Sequence, residues 1–517
     1  MKHDIMSIRN IRNLIVGAVV TAALSAGATS CLDKMPGSAI PEGEAMKTFA
    51  EAEQTLTGIY SALMSGALYG GTLTLCPDIQ ADMVYAVDGY TNTYGDFWMW
   101  TLLGNDTYVE SVYGALYTVI GRCNFFLERV GQVRDNTWDD DMLDVLDAYT
   151  GEVYCARALA YAELIKLFCK DYRSDEEAKA ELGVVLRTRW SGDEPAVRAS
   201  LYDSYRQVLA DLEQAESLLD EDDDVYGSYY LTLAAAEALH ARVALYMRDW
   251  DTAIEYATKV IDNREFALSN TSPVAPDVTY FEYMWTYDLG YEIIWNIGYT
   301  YTNYGAATGT VFLHYNNDFT YFYPDYVPAA WVVSLYGSGD VRRNAYFSDG
   351  TEQIGYGYTL PVPLLTKYFG NVEFIQNYRL YHVNMPKVFR LAEQYLIRAE
   401  AWCRSQTQRS FAKAGEDLTT LRNARMVSGA GVNVTESNWQ QQIEEERVRE
   451  LYMEGFRLQD LKRWEWKDGF ERTHQANAVA SGSSMRVGRD NPMFVWPIPR
   501  HELESPGSQV QPNDSNN

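Results

Sequence analysis

The strongest constraint on the fold is the spacing of small and bulky residues in two helical stretches of the chain. Two packed helices need a small residue, a bulky residue near the turn and another small residue, and residues 230–263 supply Ala241, Trp250 and Ala253 in that order. Small residues allow close helix packing, and we expect Trp250 to wedge the turn. A second stretch, with a longer turn, has the same order of residue types: Ala399, Phe411 and Ala414 within 391–425. The sequence therefore predicts a mainly α-helical scaffold of stacked helix pairs.

Other parts of the chain extend this helical pattern. Apolar residues recur at helical spacing in three further stretches: 109–130, 142–170 and 201–219. A charged stretch covers residues 439–466, where opposite charges three or four residues apart would face each other along one helix. The charged residues at these spacings include Arg447, Glu450, Glu454, Arg457 and Asp460. Together these stretches predict a tetratricopeptide-like scaffold over about 109–264 and 391–466.

Two long regions lack helical periodicity and are rich in aromatic residues, at about 66–108 and 265–385. The chain has 39 Tyr against 18 Phe and 13 Trp. Short strands are expected in the second region, where Ile293, Trp295 and Ile297 share one strand face, and Trp295 is predicted to be core. Long irregular regions on a helical frame are typical of binding loops on a rigid scaffold.

The first thirty residues have the pattern of a secretory signal. Arg9 and Arg12 precede an apolar run from Leu14 to Leu24, and small residues follow up to Cys31. The run is too short to cross a bilayer. A Cys directly after small residues predicts a bacterial lipoprotein with a lipid on Cys31, and ordinary cleavage nearby is the alternative.

The charge of the chain restricts its partners. The formal net charge is −28, and no basic cluster interrupts it. Because a surface this acidic repels phosphate backbones and anionic lipid, we expect no nucleic-acid binding and no membrane contact except through the lipid anchor.

Motifs for catalysis or metal binding are missing from the sequence. The five cysteines after Cys31 are far apart and are expected to be small buried hydrophobic residues. His240 falls inside a repeat helix and is expected to be packed there. The acidic run 221–224 could bind calcium, although a solvated turn is the simpler interpretation. No cofactor and no enzymatic activity are expected, but carboxylate pairs for glycoside hydrolysis cannot be judged from spacing alone.

Several motifs in this order resemble the SusD/RagB family of Bacteroidetes outer-membrane lipoproteins. The resemblance covers nearly everything after Cys31, and its C-terminal block is the most specific part. The ending differs, since QVQPN stands where the family often has Q-N-P-G. The motifs are CLDKMP, YTVIGRCNFF, GEVYCARALAYAELIKLF, LHARVALYMRDWDTAIEYA, EIIWNI, SLYGSGDVRRNAYF, LAEQYLIRAEA, EEERVRELYMEGFRLQDLKRW and VWPIPRHEL.

The resemblance implies a signal peptide at 1–30 followed by a single SusD-like domain at 31–517, with four tetratricopeptide-like helix pairs and an irregular ligand-binding half. It also implies a protein anchored at the surface of the outer membrane that captures oligosaccharide. Its partner would be a SusC-like TonB-dependent transporter that imports the cargo.

Candidate ligand contacts come from the two irregular regions, because an aromatic ring can cover the apolar face of a sugar while Asp and Asn bond its hydroxyls. We expect one shallow site built jointly from the loops around Trp98 to Asn105 and Trp285 to Tyr304. Each ring could instead be core, and Asp82, which matches an acidic position after the family's first loop, could be a ligand contact or part of a structural turn. The candidates are Asp82, Trp98, Trp100, Asn105, Trp285, Tyr299, Tyr301 and Tyr304.

Three alternatives to oligosaccharide capture stay open. The same role could serve peptide cargo, since some members of the family take peptides and basic peptides would suit the negative charge. A surface glycosidase or protease would need convergent catalytic groups. A purely structural lid would have no ligand site of its own.

Overall fold

The computed structural model describes residues 45–87, 93–190, 195–315, 321–348, 352–354, 358–360, 363–429, 431–472 and 485–517. The predicted signal and lipidation site at Cys31 lie outside these residues. The α-helices within them are α1 Phe49–Leu63, α2 Thr72–Gln80, α3 Gly95–Met99, α4 Thr107–Asp135, α5 Asp140–Phe168, α6 Asp175–Ala180, α7 Leu201–Leu218, α8 Leu233–Met247, α9 Trp250–Asp262, α10 Tyr280–Tyr287, α11 Thr310–Leu313, α12 Ala330–Val333, α13 Val341–Tyr346, α14 Val372–Tyr378, α15 Leu391–Arg404, α16 Phe411–Arg425, α17 Trp439–Glu450, α18 Arg457–Arg463 and α19 Arg500–Glu504.

The strands are short and form antiparallel pairs: β1 with β7, β2 with β3, β4 with β5, β6 with β10, β8 with β9, and β11 with β12. Their bounds are β1 Val84–Ala86, β2 Leu182–Val185, β3 Arg198–Ser200, β4 Pro273–Ala275, β5 Val278–Thr279, β6 Ile293–Asn296, β7 Tyr326–Pro328, β8 Glu352–Ile354, β9 Tyr358–Leu360, β10 Lys387–Arg390, β11 Phe470–Arg472 and β12 Met485–Val487. The predicted mainly α-helical fold is confirmed.

The long helices pack in series to form one scaffold. α1 packs on α4, α4 on α5, α5 on α7, α7 on α8, and α8 on α9. α9 then packs directly on α15, and α15 on α16, although the irregular half lies between α9 and α15 in sequence. The two helical stretches of the chain therefore belong to one continuous stack.

Side-chain caps fix where these helices begin. Thr48 and Glu51 form a reciprocal capping box at α1, and the Asp106 carboxylate accepts hydrogen bonds from the Tyr108 and Val109 amides at α4. Such caps satisfy amide groups that have no partner within the helix. Asp139, Ser200 and Asp249 cap α5, α7 and α9 in the same way.

The small residues of the helix pairs are buried, whereas the predicted role of Trp250 is wrong. Ala241, Ala253 and Ala399 are fully buried at the helix contacts. Trp250 is the first residue of α9 and is only half-buried. The Arg404 guanidinium carbon lies 4.2 Å from the centre of its ring. The indole therefore covers the outside of the turn and does not wedge it open.

The charged C-terminal stretch also differs from the prediction of one helix with charges paired along its surface. The helix ends at Glu450 and a new helix begins at Arg457. Glu450 is fully buried and accepts hydrogen bonds from Arg390 and Arg425 of other elements, at 2.8 and 2.9 Å. These arginines pull the pKa of Glu450 well below its usual value, although burial alone would raise it. The charges can lie inside the molecule because Glu450 is paired with several guanidinium groups, whose attraction offsets the cost of removing these charges from water.

The five cysteines and Trp295 are buried, as the sequence predicted. Cys76, Cys123, Cys155, Cys169 and Cys403 are free and buried. Trp295 is fully buried, although both faces of β6 are covered and not only the one that the sequence pattern suggested.

His240 and the acidic turn have structural partners as well. His240 is buried and stacks on Tyr256, with its Nδ1 atom 2.7 Å from Glu216 Oε1. In the acidic turn, Asp224 accepts hydrogen bonds from the Ala234 amide and from Asn263 Nδ2.

Candidate functional site

Strongly exposed tyrosines mark one part of the molecule. Among the described residues they all lie between 226 and 381, within or beside the irregular half, and the described tyrosines before residue 226 are buried or half-buried. They are Tyr226, Tyr229, Tyr230, Tyr280, Tyr291, Tyr301, Tyr304, Tyr321, Tyr378 and Tyr381. Because an exposed tyrosine ring can stack on a ligand and its hydroxyl can form a hydrogen bond, this surface is the candidate site.

Tyr301 and Tyr378 form the centre of this surface. Their rings stack with centroids 3.9 Å apart and planes within 4° of parallel, yet the two residues are 49% and 51% exposed. Each ring covers one face of the other, so their remaining surface faces solvent in a fixed orientation. We call these two residues the central tyrosine pair.

Helix α14 and the residues at its two ends position Tyr378. At the start of the helix, the Asn371 side chain caps α14 and donates to Asp288 Oδ2 at 2.9 Å. At the end of the helix, Arg379 has a φ of 54° and ends α14 immediately after Tyr378. A left-handed residue at this position stops a helix, so Tyr378 stands at its exposed end.

Asp288 joins α14 to the chain that follows it. This carboxylate is fully buried, and besides Asn371 it accepts hydrogen bonds from the Met385 amide, at 3.1 Å, and from Asn384 Nδ2, at 3.2 Å. Lys387 Nζ donates to it at 2.6 Å and neutralises its charge. A buried carboxylate with four donors holds the base of the site rigid.

A tight turn positions Tyr301. The Thr300 and Asn303 backbones exchange hydrogen bonds of 3.0 and 3.2 Å, which leaves Tyr301 and Thr302 at the exposed tip. The chain after this turn approaches residues 66–71 closely, and a Cβ atom added at Gly70 would lie 2.1 Å from the Tyr299 hydroxyl. Only glycine fits there, so the first irregular region meets the second at this loop.

Polar and aromatic side chains surround the central tyrosine pair. Asn303, Gln376 and Asn377 are exposed and offer amide groups to ligand hydroxyls. Tyr381 and Tyr315 lie beside His382, with ring centroids 6.2 and 5.6 Å from the imidazole. Burial lowers the pKa of His382 to about 4, so this ring is neutral near pH 7 and adds no charge to the surface.

The structure places the predicted residues Trp98 and Trp100 in the interior. The Trp98 indole N–H donates to the Val84 carbonyl at 3.3 Å, and the Arg472 guanidinium carbon lies 4.5 Å from the centre of its ring. Trp100 donates to the Gln80 carbonyl at 2.6 Å and packs between Phe470 and Phe494. Both indoles are buried in contacts with other parts of the chain, which argues against stacking with a ligand.

Trp285 and Tyr299 are also buried. Lys367 Nζ and Lys387 Nζ lie 4.1 and 4.6 Å from the centre of the Trp285 ring. Burial lowers the pKa of Lys367 to about 8, while Glu454 acts in the opposite direction. A closed cavity of about 40 Å³ borders Trp285, which is far below the usual size of a ligand pocket.

The carboxylate of Asp82 is occupied by an ion pair. Arg457 Nε and Nη2 each donate to it at 2.8 Å. These charges lower the pKa of Asp82, although burial alone would raise it. The carboxylate therefore serves as a structural partner of α18, and direct contact with a ligand stays a prediction that its burial argues against.

The predicted joint site is only partly assembled. Tyr301, Tyr304 and Asn105 are exposed, but the Gly104 carbonyl beside Asn105 accepts a hydrogen bond from the Arg500 amide near the C-terminus. The Trp98 to Asn105 loop thus packs on the C-terminal segment, whereas Tyr301 packs on Tyr378. Sequence reasoning missed Tyr378 and Tyr381, which the closely spaced tyrosines of NYRLYH could have indicated.

An open cleft on the helical scaffold is the alternative candidate for a ligand site. It has a volume of about 820 Å³ and lies between α9, α15 and α16. Its one aromatic side chain, Trp402, is buried and has Lys413 Nζ 4.0 Å from the centre of its ring. Charged side chains make up most of the rest of its wall, so the tyrosine surface is the better candidate for stacking.

The described residues contain neither a metal-binding cluster nor a membrane-spanning helix. No group of three or more His, Cys, Asp and Glu side chains among them is arranged to hold a metal ion. None of the helices in those ranges is both long and apolar enough to cross a membrane.

Comparison with known proteins gives a consistent family. Residues 32–245 match the SusD-like family model described as "Starch-binding associating with outer membrane", and residues 295–514 match the model of the SusD family. A search of curated proteins gives no match.

Solved structures share the whole fold. The chain is 22% identical to a SusD superfamily protein from Bacteroides thetaiotaomicron, with a TM-score of 0.72 over 90% of this chain and 99% of the other. A SusD-like carbohydrate binding protein from Bacteroides vulgatus has 18% identity and a TM-score of 0.67 over 89% and 97% of the two chains. The surface glycan-binding protein A of Bacteroides fluxus has 20% identity and a TM-score of 0.69 over 90% and 99%.

The two family models cover residues 32–245 and 295–514, which include most of the helical scaffold and the central tyrosine pair, and the solved structures match in fold over nearly their full length. The chain belongs to the SusD/RagB family.

Proposed function

We propose that the protein captures oligosaccharide at the cell surface and delivers it to a SusC-like TonB-dependent transporter of the outer membrane. The observation that carries this proposal is the central tyrosine pair, which holds two half-exposed rings in a fixed orientation on a rigid base. The family, and relatives whose names describe sugar and glycan binding, support the same class of ligand.

Stacking on a tyrosine suits a sugar ring because the apolar C–H face of the sugar covers the aromatic face. Preorganised rings lose little side-chain entropy when the ligand binds. Asn303, Gln376 and Asn377 can exchange hydrogen bonds with the sugar hydroxyls that point to the side. A shallow site with few rings is expected to bind in the micromolar range, or about −8 kcal/mol at 1 μM.

The same proposal places the protein at the outer membrane through a lipid on Cys31. No charged attraction to lipid is needed, because one or two acyl chains supply the anchoring free energy. Binding and release, without a bond-breaking step, account for all the features of the tyrosine surface described above.

A glycan array and a peptide array, both probed with the soluble protein and with its Tyr301→Ala/Tyr378→Ala variant, test the proposal. We expect the wild-type protein to bind a set of glycans that the variant no longer binds. Trp138→Ala is the matched control, because Trp138 is 91% exposed but lies between α4 and α5, outside the tyrosine surface.

Binding to peptides alone would replace the glycan cargo with peptide, and hydrolysis of a bound glycan would make the protein an enzyme.

The lipid anchor has its own test, in which Cys31→Ala should release the protein from the membrane fraction. Retention of that variant at the wild-type level would contradict lipidation at Cys31.

A further inference from the structure

A second group of exposed aromatic residues on the tyrosine surface is separate from the central tyrosine pair. Tyr226, Tyr229, Tyr230 and Tyr291 are all strongly exposed, and Val225 and Leu289 add apolar surface next to them. We call the four tyrosines the outer tyrosine patch. Apolar surface of this kind on a single chain marks an interaction site.

Ring packing and backbone hydrogen bonds hold the outer tyrosine patch in place. The Tyr226 and Tyr291 rings pack with centroids 4.3 Å apart at 52°. The loop that contains Tyr226 is fastened to β6, since the Gly227 amide donates to the Ile293 carbonyl at 2.7 Å and the Asn296 amide donates to the Ser228 carbonyl at 3.0 Å. The rings therefore stand in a defined place along the edge of β6.

Gly298 connects the outer tyrosine patch to the central tyrosine pair. The Tyr229 ring lies over this residue so closely that an added Cβ would be 3.0 Å from two ring carbons. Gly298 precedes Tyr301 by three residues, a separation of at most about 11 Å along the chain. Exposed rings thus follow one another from Tyr226 and Tyr291, across Tyr229, to Tyr301.

The charges near this line of rings indicate a neutral ligand. Tyr291 is the main cause that raises the pKa of Tyr226, and burial is the main cause that raises the pKa of Tyr229. The exposed carboxylates of Glu265 and Glu373 act in the same direction on Tyr226 and Tyr229 respectively, with smaller effects. Acidic neighbours repel carboxylate and sulfate groups, and the net charge of −28 adds to that repulsion.

We propose that the outer tyrosine patch is a second subsite for the same ligand, so that one neutral oligosaccharide several rings long lies along both patches. This inference rests on the proposed function, and it adds the length and charge class of the ligand. Tyr291 and Tyr301 are ten residues apart, which allows a separation of up to about 33 Å, and a sugar shorter than the actual separation occupies only one end.

Native gels cast with neutral and acidic polysaccharides test the inference. The neutral polymers are mixed-linkage β-glucan, xylan, galactomannan and amylopectin, and the acidic ones are polygalacturonate and heparin. Tyr226→Ala/Tyr291→Ala is compared with wild type, with Tyr301→Ala/Tyr378→Ala and with the exposed control Trp138→Ala. Calorimetry then follows oligosaccharides of increasing length cut from the retarded polymer.

We expect a neutral polymer to retard the wild-type protein and the Trp138→Ala control. Affinity should rise with oligosaccharide length, and Tyr226→Ala/Tyr291→Ala should lose about tenfold on the longest chains with little change on the shortest. Tyr301→Ala/Tyr378→Ala should weaken both. Thermal midpoints close to wild type show that the variants are folded, which is expected because the replaced rings are largely exposed.

The possible failures point to different causes. If Tyr226→Ala/Tyr291→Ala keeps the full dependence on length, the second subsite is wrong and the proposed function stands. If only acidic polymers retard the protein, the neutral class is wrong. If no polymer retards the wild-type protein, capture of glycan itself fails, and the subsite fails with it.

Discussion

The two aromatic-rich irregular regions of this chain use their rings in opposite ways. In the first region, Trp98 and Trp100 are buried and their N–H groups donate to backbone carbonyls. In the second region, Tyr301 and Tyr378 stack on each other and stay half-exposed. Aromatic content alone therefore does not locate a binding surface, because a ring becomes available to a ligand only where its contacts within the fold leave part of it exposed.

The identity of the ring contributes to this difference. An indole has more surface to bury, so the tryptophans of the first region are held by aromatic and cationic partners from the C-terminal segment. A phenol places its polar group at the tip and tolerates exposure. The tyrosine excess in the composition is therefore informative about the second region and says little about the first.

Among the substitutions that test the contrast between the two regions, we expect the largest change in stability at Trp100. Replacing Trp100 with Ala removes an indole between Phe470 and Phe494 and one of the two hydrogen bonds that the Gln80 carbonyl accepts, since Arg472 Nη2 donates the other. We expect a loss of about 3–5 kcal/mol in the free energy of unfolding, measured by urea titration. Glycan affinity of the folded fraction should be unchanged, and a loss of binding at wild-type stability would return Trp100 to the ligand site.

The next effect concerns the ion pair of the first region. Asp82→Asn removes the charge that Arg457 needs in the interior, and we expect a loss of about 3 kcal/mol near pH 7. The folded pKa of Asp82 lies below its unfolded value of about 3.9, so the pair stabilises the fold above that value and the stabilisation is lost as the pH falls through the folded pKa.

Urea titrations of wild type and Asp82→Asn at pH 7 and at pH 3 measure this dependence. The two proteins should differ clearly at pH 7 and less at pH 3. A difference that stays constant between the two pH values would show that the carboxylate charge is not the cause, and lost glycan binding at pH 7 with full stability would make Asp82 a ligand contact.

A smaller effect is expected in the second region. Tyr378→Ala should weaken glycan binding about five- to tenfold, or about 1–1.4 kcal/mol, while the unfolding free energy changes little because half of the residue is exposed. Tyr378→Phe keeps the ring and should bind nearly as well as wild type. If Trp98→Ala lowers affinity as much as Tyr378→Ala does, the contrast between the two regions is lost.

The smallest effect is expected at Asn105. This residue is exposed in the first region beside the C-terminal segment. Asn105→Ala should change neither the thermal midpoint nor the affinity beyond experimental error. A several-fold loss in affinity by calorimetry would instead bring the Trp98 to Asn105 loop into the ligand site.

The helical scaffold could be predicted from the sequence because its signals are local. Ala241 and Ala253 are separated by twelve positions, and both are buried where the helix-pair pattern requires small residues. Caps such as Asp106 and Asp139 also act within three residues. The half-buried state of Trp250 was not predictable in this way, since the Arg404 that covers it comes from a distant helix.

The ligand surface was harder to predict because the decisive contacts join distant parts of the chain. Trp98 is covered by Arg472, and Glu450 is paired with Arg390 and Arg425. Residue type and spacing do not reveal such partners. Tyr301 was found because its region is rich in aromatic residues and lacks helical periodicity. Tyr378 was missed because it is the last residue of a short helix, and its exposure depends on where Arg379 ends that helix.

The direct packing of α9 on α15 has a consequence for the order of folding. In most stacked-helix proteins each interface forms between neighbours in sequence, so structure can spread from one repeat to the next. Here the growing stack must stop at Asp262 until Leu391 and the rest of α15 have been synthesised. Closing so long a loop costs little in equilibrium stability but slows the search for the partner helix. The last helices should therefore dock late, and the face of α9 that α15 covers stays without its partner helix until then.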